Sequence, residues 1–240
     1  GLVSALAVSN QNGAILPVAQ MAAVAKEVQP RTLFHTDATQ AVGKLVLDLA
    51  AVDFVTFSGH KIGGLRGSGA LLKRRKARLV PPEVGGGQED GLRSGTPNLP
   101  GDVALAYALR VALATLPERT ARATALNDRI RAGLASLGDA VFVASPLGQT
   151  IPFVLTIGLR WQRASVMDQY LSSRGVYVST TSACDDKHDG PNAVLRAMGL
   201  APHLADNPIR LSFTGLEPLE DADIFLEAFK DGIKNLRHDI

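Results

Sequence analysis

The chain contains few aromatic residues and one cysteine, Cys184, among its 240 residues. A single cysteine cannot form an intramolecular disulfide, and the five histidines show none of the close Cys/His spacings of structural zinc sites. No apolar stretch approaches the roughly 20 residues of a membrane span, and no charged head and apolar core suggest a signal peptide. These absences argue against disulfide-rich secreted and membrane classes, and we expect a protein of the reducing cytoplasm.

Neither sign of charge is in large excess, because 25 basic residues nearly balance 23 acidic ones and leave a formal net charge of +2. The only basic run lies at positions 73–78, and no aromatic residues are interleaved with it. We interpret this run as a solvated surface and expect no nucleic-acid partner. With 46% hydrophobic residues, the chain is long enough for one large domain or two modest ones.

Residues 1–114 show the pattern of an α/β domain with a mainly parallel sheet. The apolar run 2–8 predicts a strand buried on both faces, and Pro17 opens a helix that Pro30 ends. Further strand-like runs occupy 32–36, 53–57 and 69–73, and strands separated by helices favour parallel pairing.

Residues 115–240 predict a smaller α+β domain. Helices are expected at about 118–137, 164–173, 191–198 and 217–236, after an Ala- and Leu-rich helix at 102–116 that closes the first domain. Strands are expected at 140–144, 152–157, 176–179 and 208–213.

Two residues in the first domain suggest chemistry. Asp37 ends one predicted strand, and Lys61 follows the end of the next in the run Ser-Gly-His-Lys. Open α/β sheets bind ligands at this edge, and an aldehyde cofactor needs a lysine amine there. Pyridoxal 5′-phosphate (PLP) also needs a carboxylate at its pyridinium nitrogen. Taken singly, however, such a lysine is usually a surface residue and such an aspartate is usually a turn former or helix cap.

Seven ordered motifs together carry a resemblance to a known family. They are Ser-Asn-Gln-Asn-Gly at 9–13, His-Thr-Asp-Ala-Thr-Gln-Ala-Val-Gly-Lys at 35–44, Phe-Ser-Gly-His-Lys at 57–61, Gly-Gly-Gly-Gln-Glu at 85–89, Arg-Ser-Gly-Thr at 93–96, Ser-Ala-Cys at 182–184 and Ile-Arg-Leu-Ser-Phe at 209–213. Across essentially its whole length, the chain resembles the cysteine desulfurases, PLP-dependent enzymes of the class-V aminotransferase type. The resemblance implies the three-layer fold type I architecture for the large domain, with the smaller α+β domain behind it.

The resemblance also implies cofactor contacts. Lys61 would attach PLP as a Schiff base and later shuttle the substrate Cα proton, and Asp37 would pair with the pyridine nitrogen. Gln40 and Asn10 would donate hydrogen bonds either to the phenolic oxygen of the ring or on the side of the substrate carboxylate. The phosphate would be bound by Ser58 and His60, and by Thr96 from the other subunit of a homodimer.

For the substrate, L-cysteine, the resemblance implies two further residues. Arg210 would clamp the carboxylate through its two-pronged guanidinium. Cys184 would attack the substrate sulfur, leaving alanine and a persulfide for a sulfur acceptor, such as an iron–sulfur scaffold or a tRNA-thiolation enzyme. An unplaced cysteine is more often a small buried hydrophobe, but the hydrophilic residues 185–190 after Cys184 favour an exposed loop. Two acids and two bases nearby pull its thiol pKa in opposite directions.

Family members carry a further N-terminal part, with a phosphate-binding loop and a histidine that stacks on PLP, that has no counterpart here. A split enzyme with a separate N-terminal chain, an artificial end, or a degenerate protein would each account for this. The alternatives to a desulfurase are a selenocysteine lyase, a class-V aminotransferase without persulfide chemistry, and a non-catalytic binding module derived from a desulfurase. The thiol in Ser-Ala-Cys disfavours the aminotransferase, because transamination needs no such group.

Overall fold

The computed structural model describes residues 1–81, 83–180 and 192–236. The chain divides into two compact units, which are treated separately below. The first comprises Gly1–Val8 and Leu16–Leu116, and the second comprises Ser9–Ile15 and Pro117–Ile240. The predicted domains, 1–114 and 115–240, differ from these units chiefly at Ser9–Ile15. That short segment packs with the second unit because its backbone is hydrogen-bonded to side chains there, as described below.

The first unit is built on a four-stranded sheet in the order β1-β2-β3-β4. Strands β1 to β3 are parallel, and β4 runs antiparallel to β3. Its elements are β1 (Leu2–Leu6), α1 (Val18–Val28), β2 (Leu33–Asp37), β3 (Phe54–Ser58), β4 (Gly69–Lys73) and α2 (Leu99–Ala114). The parallel pairing favoured for the strand-like runs is wrong for β4, which follows β3 after a short 3₁₀ turn, Gly59–Lys61, and runs antiparallel to it.

Local sequence explains the helices of this unit. In α1, Val18 and Ala22 lie one helical turn apart and are buried on the same face. Helix α2 begins three residues earlier than predicted, because the side chain of Asn98 caps it by accepting from the N–H of Gly101 at 3.3 Å. The prediction that β1 is buried on both faces is wrong: Leu2 is 62% and Val3 37% exposed, because β1 is the edge strand of this sheet.

The second unit contains an antiparallel four-stranded sheet in the order β5-β6-β8-β7. The strands are β5 (Val141–Val143), β6 (Val154–Leu159), β7 (Ser179–Thr180) and β8 (Pro208–Ser212). The helices are α3 (Leu116–Leu134), α4 (Ala164–Ser172), α5 (Ala193–Ala197), α6 (Pro202–Ala205) and α7 (Glu220–Asn235). Of these, only the four-residue α6 was not predicted from the sequence.

The core of the second unit is continuous. Every residue of β6 is buried, and the side chains of Leu126, Met167 and Phe229 from three helices pack into the same apolar cluster. The rings of Phe225 and Phe229 stack with their centroids 5.2 Å apart. Because this cluster excludes water from both sheet and helices, it sets the positions of β6 and β8, which carry the polar residues of interest.

No single helix in the described part of the chain is long and apolar enough to cross a membrane. Among those helices, only α2 and α3 counted together have the length and the apolar composition that a span requires.

Candidate active site

The carboxyl ends of β2 and β3 lie at one edge of the first sheet. The two strands are parallel neighbours in which Asp37, the last residue of β2, aligns with Thr56, two residues before the end of β3 at Ser58. The side chain of Asp37 is exposed, and one of its carboxylate oxygens accepts from the N–H of Thr39 at 2.8 Å. Strand register therefore places a carboxylate next to the chain segment that leads to Lys61.

Lys61 closes the 3₁₀ turn Gly59–Lys61 that follows β3. The turn is held by its backbone, because the N–H of Gly59 donates to the carbonyl of Ser68 and the N–H of Gly64 donates to the carbonyl of Gly59, both at 2.9 Å. A Cβ on Gly59 would lie 2.5 Å from the Ser68 hydroxyl oxygen, so any larger residue there would require the Ser68 side chain to move. The Lys61 side chain is exposed, and its amine has no hydrogen-bond or ion-pair partner in the described ranges.

Ser58 and His60 flank Gly59 in this turn. Ser58 is half-buried and His60 is exposed, and neither side chain has a hydrogen-bond partner within residues 1–81, 83–180 and 192–236. A hydroxyl and an imidazole that are free to donate, beside an unpartnered lysine, give this turn donors suited to an anion.

Neither Gln40 nor Thr96 is hydrogen-bonded to that turn in the described part of the chain. The amide oxygen of Gln40 accepts from the ammonium group of Lys44 at 2.9 Å, so only its NH₂ group remains free to bind a cofactor oxygen. Thr96 is exposed, in the segment between Gly95 and α2. No hydrogen bond in the described part of the chain joins Thr96 to Asp37 or Lys61.

In the second unit, Arg210 lies on β8 and Asn10 on the docked segment Ser9–Ile15. The Nη1 atom of Arg210 donates to the backbone carbonyl of Asn10 at 2.9 Å. The Nε atom of Arg210 is buried without a partner among the described residues. A buried charged donor left unpaired is costly, so this guanidinium is suited to receive an anionic ligand.

Cys184 lies outside the described residues, as do the rest of the Ser-Ala-Cys motif and residues up to 191. The described neighbours on either side are well anchored. Thr180 pairs with Ile209 in the sheet, one position along from the Ser179 and Arg210 pair. Asn192 donates from its side chain to the Gln11 amide oxygen at 3.3 Å, and its backbone N–H donates to Asp206 at 2.9 Å.

The pKa of Asp206 lies below its ordinary value. The hydrogen bond from the Arg196 guanidinium lowers the pKa of Asp206 below its ordinary value, although partial burial opposes this, and the N–H of Asn192 lowers it further. The aspartate therefore anchors residue 192 as a charged acceptor throughout the neutral range.

Sequence reasoning missed two polar residues, Ser145 and Thr156. Both are fully buried, and each donates its hydroxyl hydrogen to a carbonyl of the docked segment. A signal was present, because each interrupts an apolar stretch, and buried hydroxyls are hydrogen-bonded. Their acceptors, however, are more than 130 residues away along the chain.

The residues of the first unit fit PLP. A carboxylate and an unpartnered lysine follow neighbouring parallel strands, and two free donors for a phosphate stand beside the lysine. PLP chemistry needs this set: a Schiff-base amine, an anion opposite the ring nitrogen, and donors for the phosphate. The fit rests on Asp37, Ser58, His60 and Lys61, all within one unit.

Comparison with known proteins defines the class to which the chain belongs. The sequence profile of the class-V aminotransferases matches residues 1–225, and the chain is a member of that family. A solved structure described as a NifS-like protein superimposes with a TM-score of 0.89 at 34% sequence identity, covering 98% of this chain and 61% of that one. The predicted fold class, α/β with a mainly parallel sheet and a further α+β part, is thereby confirmed.

Within the family, the chain is similar to cysteine desulfurases. It is 37% identical to a NifS/IcsS protein homolog of Lactobacillus delbrueckii over 96% of its length, and 35% identical to the cysteine desulfurase IscS of an Anaeromyxobacter strain over 98%. The chain spans about 60% of the length of these relatives. The suspected resemblance to cysteine desulfurases is confirmed.

Proposed function

We propose that this chain supplies the PLP-binding lysine and the sulfur-accepting cysteine of a cysteine desulfurase. The observation that carries the proposal is the placement of Asp37 and Lys61 after two neighbouring parallel strands, at one edge of the sheet. Support comes from relatives named cysteine desulfurase. When bound, PLP supplies an electron sink for bonds at the substrate Cα.

The residues of the cofactor site would divide the work of holding PLP. Asp37 would keep the ring nitrogen protonated by its negative charge, and Lys61 would bind the cofactor aldehyde. Ser58 and His60 donate to the phosphate, and Gln40 donates its NH₂ group to the phenolic oxygen, because its carbonyl oxygen is already bonded to a lysine. The amine of Lys61 would also move the proton of the substrate Cα.

Arg210 and Asn10 bind the substrate carboxylate. The Nη1 atom of Arg210 is fixed on the Asn10 carbonyl, which leaves Nε and Nη2 as a parallel pair of donors. This edge of a guanidinium matches the two oxygens of a carboxylate, a geometry that lysine cannot reproduce. The exposed side-chain amide of Asn10 donates beside it.

Cys184 accepts the sulfur. Its thiolate attacks the sulfur of L-cysteine, the bond from that sulfur to Cβ breaks, and Cβ takes up a proton to give L-alanine. The enzyme keeps a persulfide, so atoms and electrons balance without an external oxidant. Cys184 lies four positions after Thr180 in the sequence, and four residues of fully extended chain reach at most roughly 14 Å. Thr180 is one position from the strand pair that contains Arg210, so we propose that this reach lets the thiol meet a substrate bound at the guanidinium.

The proposal extends to partners. The protein acts as a cytoplasmic homodimer in which Thr96 of one subunit reaches the cofactor phosphate of the other, consistent with its exposure. The persulfide then passes to a sulfur-acceptor protein, either an iron–sulfur scaffold or a thiolation enzyme.

The test is made on the native protein, isolated with any chain that copurifies and loaded with PLP. L-Cysteine should yield L-alanine, and peptide mass should show one added sulfur atom on Cys184. Cys184→Ser should lose both, while Lys76→Ala, which changes an exposed lysine outside the site, should keep both. Alanine formed without sulfur on Cys184 would point to a lyase such as selenocysteine lyase. A PLP-loaded protein that makes no product would be a binding module and would overturn the proposal.

A further inference from the structure

Three successive carbonyls of the docked segment Ser9–Ile15 each accept a hydrogen bond from a different side chain of the second unit. The donor and acceptor pairs are Arg210 with Asn10 at 2.9 Å, Thr156 with Gln11 at 2.6 Å, and Ser145 with Asn12 at 2.7 Å. This set of bonds is called the carbonyl ladder below. An irregular backbone segment is thus fixed residue by residue, although it forms no strand of its own.

The donors of the carbonyl ladder are themselves rigid. Thr156 on β6 and Arg210 on β8 are directly opposite in the antiparallel sheet, so their side chains share one face. Ser145 is linked to this pair, because its hydroxyl oxygen accepts from the N–H of Thr156 at 2.9 Å. Thr156 and Ser145 are both 0% exposed.

The segment has little freedom to relax without these donors. Its turn is closed by the N–H of Gly13 on the carbonyl of Ser9 at 2.9 Å, and Gly13 has a left-handed φ of 75°. The side chain of Asn12 is fully buried, with its NH₂ group on the carbonyl of Ala144 at 3.2 Å. Loss of one ladder bond would leave a backbone carbonyl without its side-chain partner, at a part-buried site for Gln11 and a buried site for Asn12. An unpaired carbonyl in such a site is unfavourable, so the segment would shift to recover a partner.

Such a shift would move Arg210. Thr156 binds the carbonyl of Gln11, and the neighbouring carbonyl, that of Asn10, is the one that orients the Arg210 guanidinium. We propose that Thr156 and Ser145 are positioning residues, which set the angle of the Arg210 guanidinium and of the Asn10 side chain toward the substrate carboxylate. The inference rests on the proposed function, since it specifies how that substrate site is held.

The positions of these residues predict a particular kinetic signature. Neither hydroxyl is free to touch substrate, because each donates to a backbone carbonyl and both are buried. Their loss should weaken substrate binding without altering the chemistry at Lys61. A misdirected guanidinium binds the carboxylate through one donor instead of two, and small displacements of positioning groups have large kinetic effects.

The test compares Thr156→Val with Thr156→Ser in the native, PLP-loaded protein. Valine keeps the shape and removes the hydroxyl, and serine restores it. We expect Thr156→Val to raise KM for L-cysteine and the inhibition constant of L-alanine about tenfold, with kcat changed less than twofold and an unchanged PLP absorbance band. Thr156→Ser should return to within about twofold of the wild type. The matched control is Thr124→Val, because Thr124 also donates its hydroxyl to a carbonyl, that of Thr120, on the surface of α3.

The outcomes separate this inference from the proposed function. An active wild type with an unchanged KM in Thr156→Val, or a change that Thr124→Val reproduces, would overturn the positioning role alone. A wild type that makes no alanine would overturn both. If Thr156→Val does not fold, Ser145→Ala decides, because it removes the neighbouring ladder bond and should also raise KM selectively. An unchanged KM in a folded Ser145→Ala would then refute the inference.

Discussion

In the first unit, the side chains of Ser58, His60 and Lys61 have no hydrogen-bond partner in the described ranges and are placed by the backbone alone, through strand register and a glycine-dependent turn. In the second unit, Arg210 is held by its own side-chain bond and belongs to a buried polar network. The side chains of the first group are thus free, whereas that of Arg210 is part of the packing around it. Substitution of Ser58, His60 or Lys61 should therefore change catalytic activity without changing the free energy of unfolding, whereas substitution of Arg210 should change both.

The largest effect should come from Lys61→Ala. Activity should fall about a thousandfold or more, because the covalent link and the proton carrier are lost together. The free energy of unfolding should stay within about 0.5 kcal/mol of the wild type, since the side chain is exposed and unpartnered. Rates of alanine formation and urea unfolding measure the two effects. Substantial destabilisation would break the contrast between the units.

Stability should respond most strongly where a large apolar side chain is fully buried, as at Phe229. Phe229→Ala should destabilise the protein by about 3–5 kcal/mol, because it leaves a cavity in a fully buried cluster. Leu2→Ala, in the exposed edge strand of the first unit, should change stability by no more than about 0.5 kcal/mol. Thermal or urea unfolding provides the measurement, and equal losses in the two variants would contradict the packing difference described above.

Arg210→Lys should lower both catalytic activity and stability. We expect kcat/KM for L-cysteine to fall about ten- to a hundredfold, because an ammonium group cannot form paired bonds to a carboxylate. The urea midpoint should also drop, because the bond to the Asn10 carbonyl is lost. Arg75→Lys, at an exposed position in the first unit, serves as the control and should change neither. If Arg210→Lys lowered activity while stability stayed constant, the coupling would be disproved.

The smallest effect concerns Glu217. Burial would raise the pKa of Glu217, but hydrogen bonds from the backbone and hydroxyl of Thr214 and from nearby N–H groups outweigh it and lower the pKa below its ordinary value. A lowered folded pKa contributes stability that is present above the ordinary carboxyl pKa and is lost as pH falls through the folded one.

Glu217→Gln should therefore cost about 1 kcal/mol at neutral pH, allowing for partial exposure, and progressively less in acid. Urea midpoints measured from pH 7 downward test this expectation. A gap between wild type and variant that stayed constant, or widened, in acid would contradict the assigned sign.

Local sequence predicted the placement of Asp37 and Lys61 and most helices and strands, because strand ends, prolines and glycines are short-range signals. It did not predict that Ser9–Ile15 belongs with the second unit, since the carbonyl ladder joins residues more than 130 positions apart. It also missed that β4 is antiparallel and that β1 is exposed, because both depend on which strands are neighbours in the sheet. The roles of all the site residues are proposals: Asn10, Asp37, Gln40, Ser58, His60, Lys61, Thr96, Cys184 and Arg210.

The most direct test of the central claim is to locate the lysine that carries PLP. The native protein, isolated with any chain that copurifies, is incubated with PLP, reduced with borohydride to make the attachment permanent, digested and examined by peptide mass. We predict a single adduct on Lys61, which is absent in Lys61→Ala. An adduct spread over surface lysines such as Lys76, or no adduct on a folded protein, would contradict it.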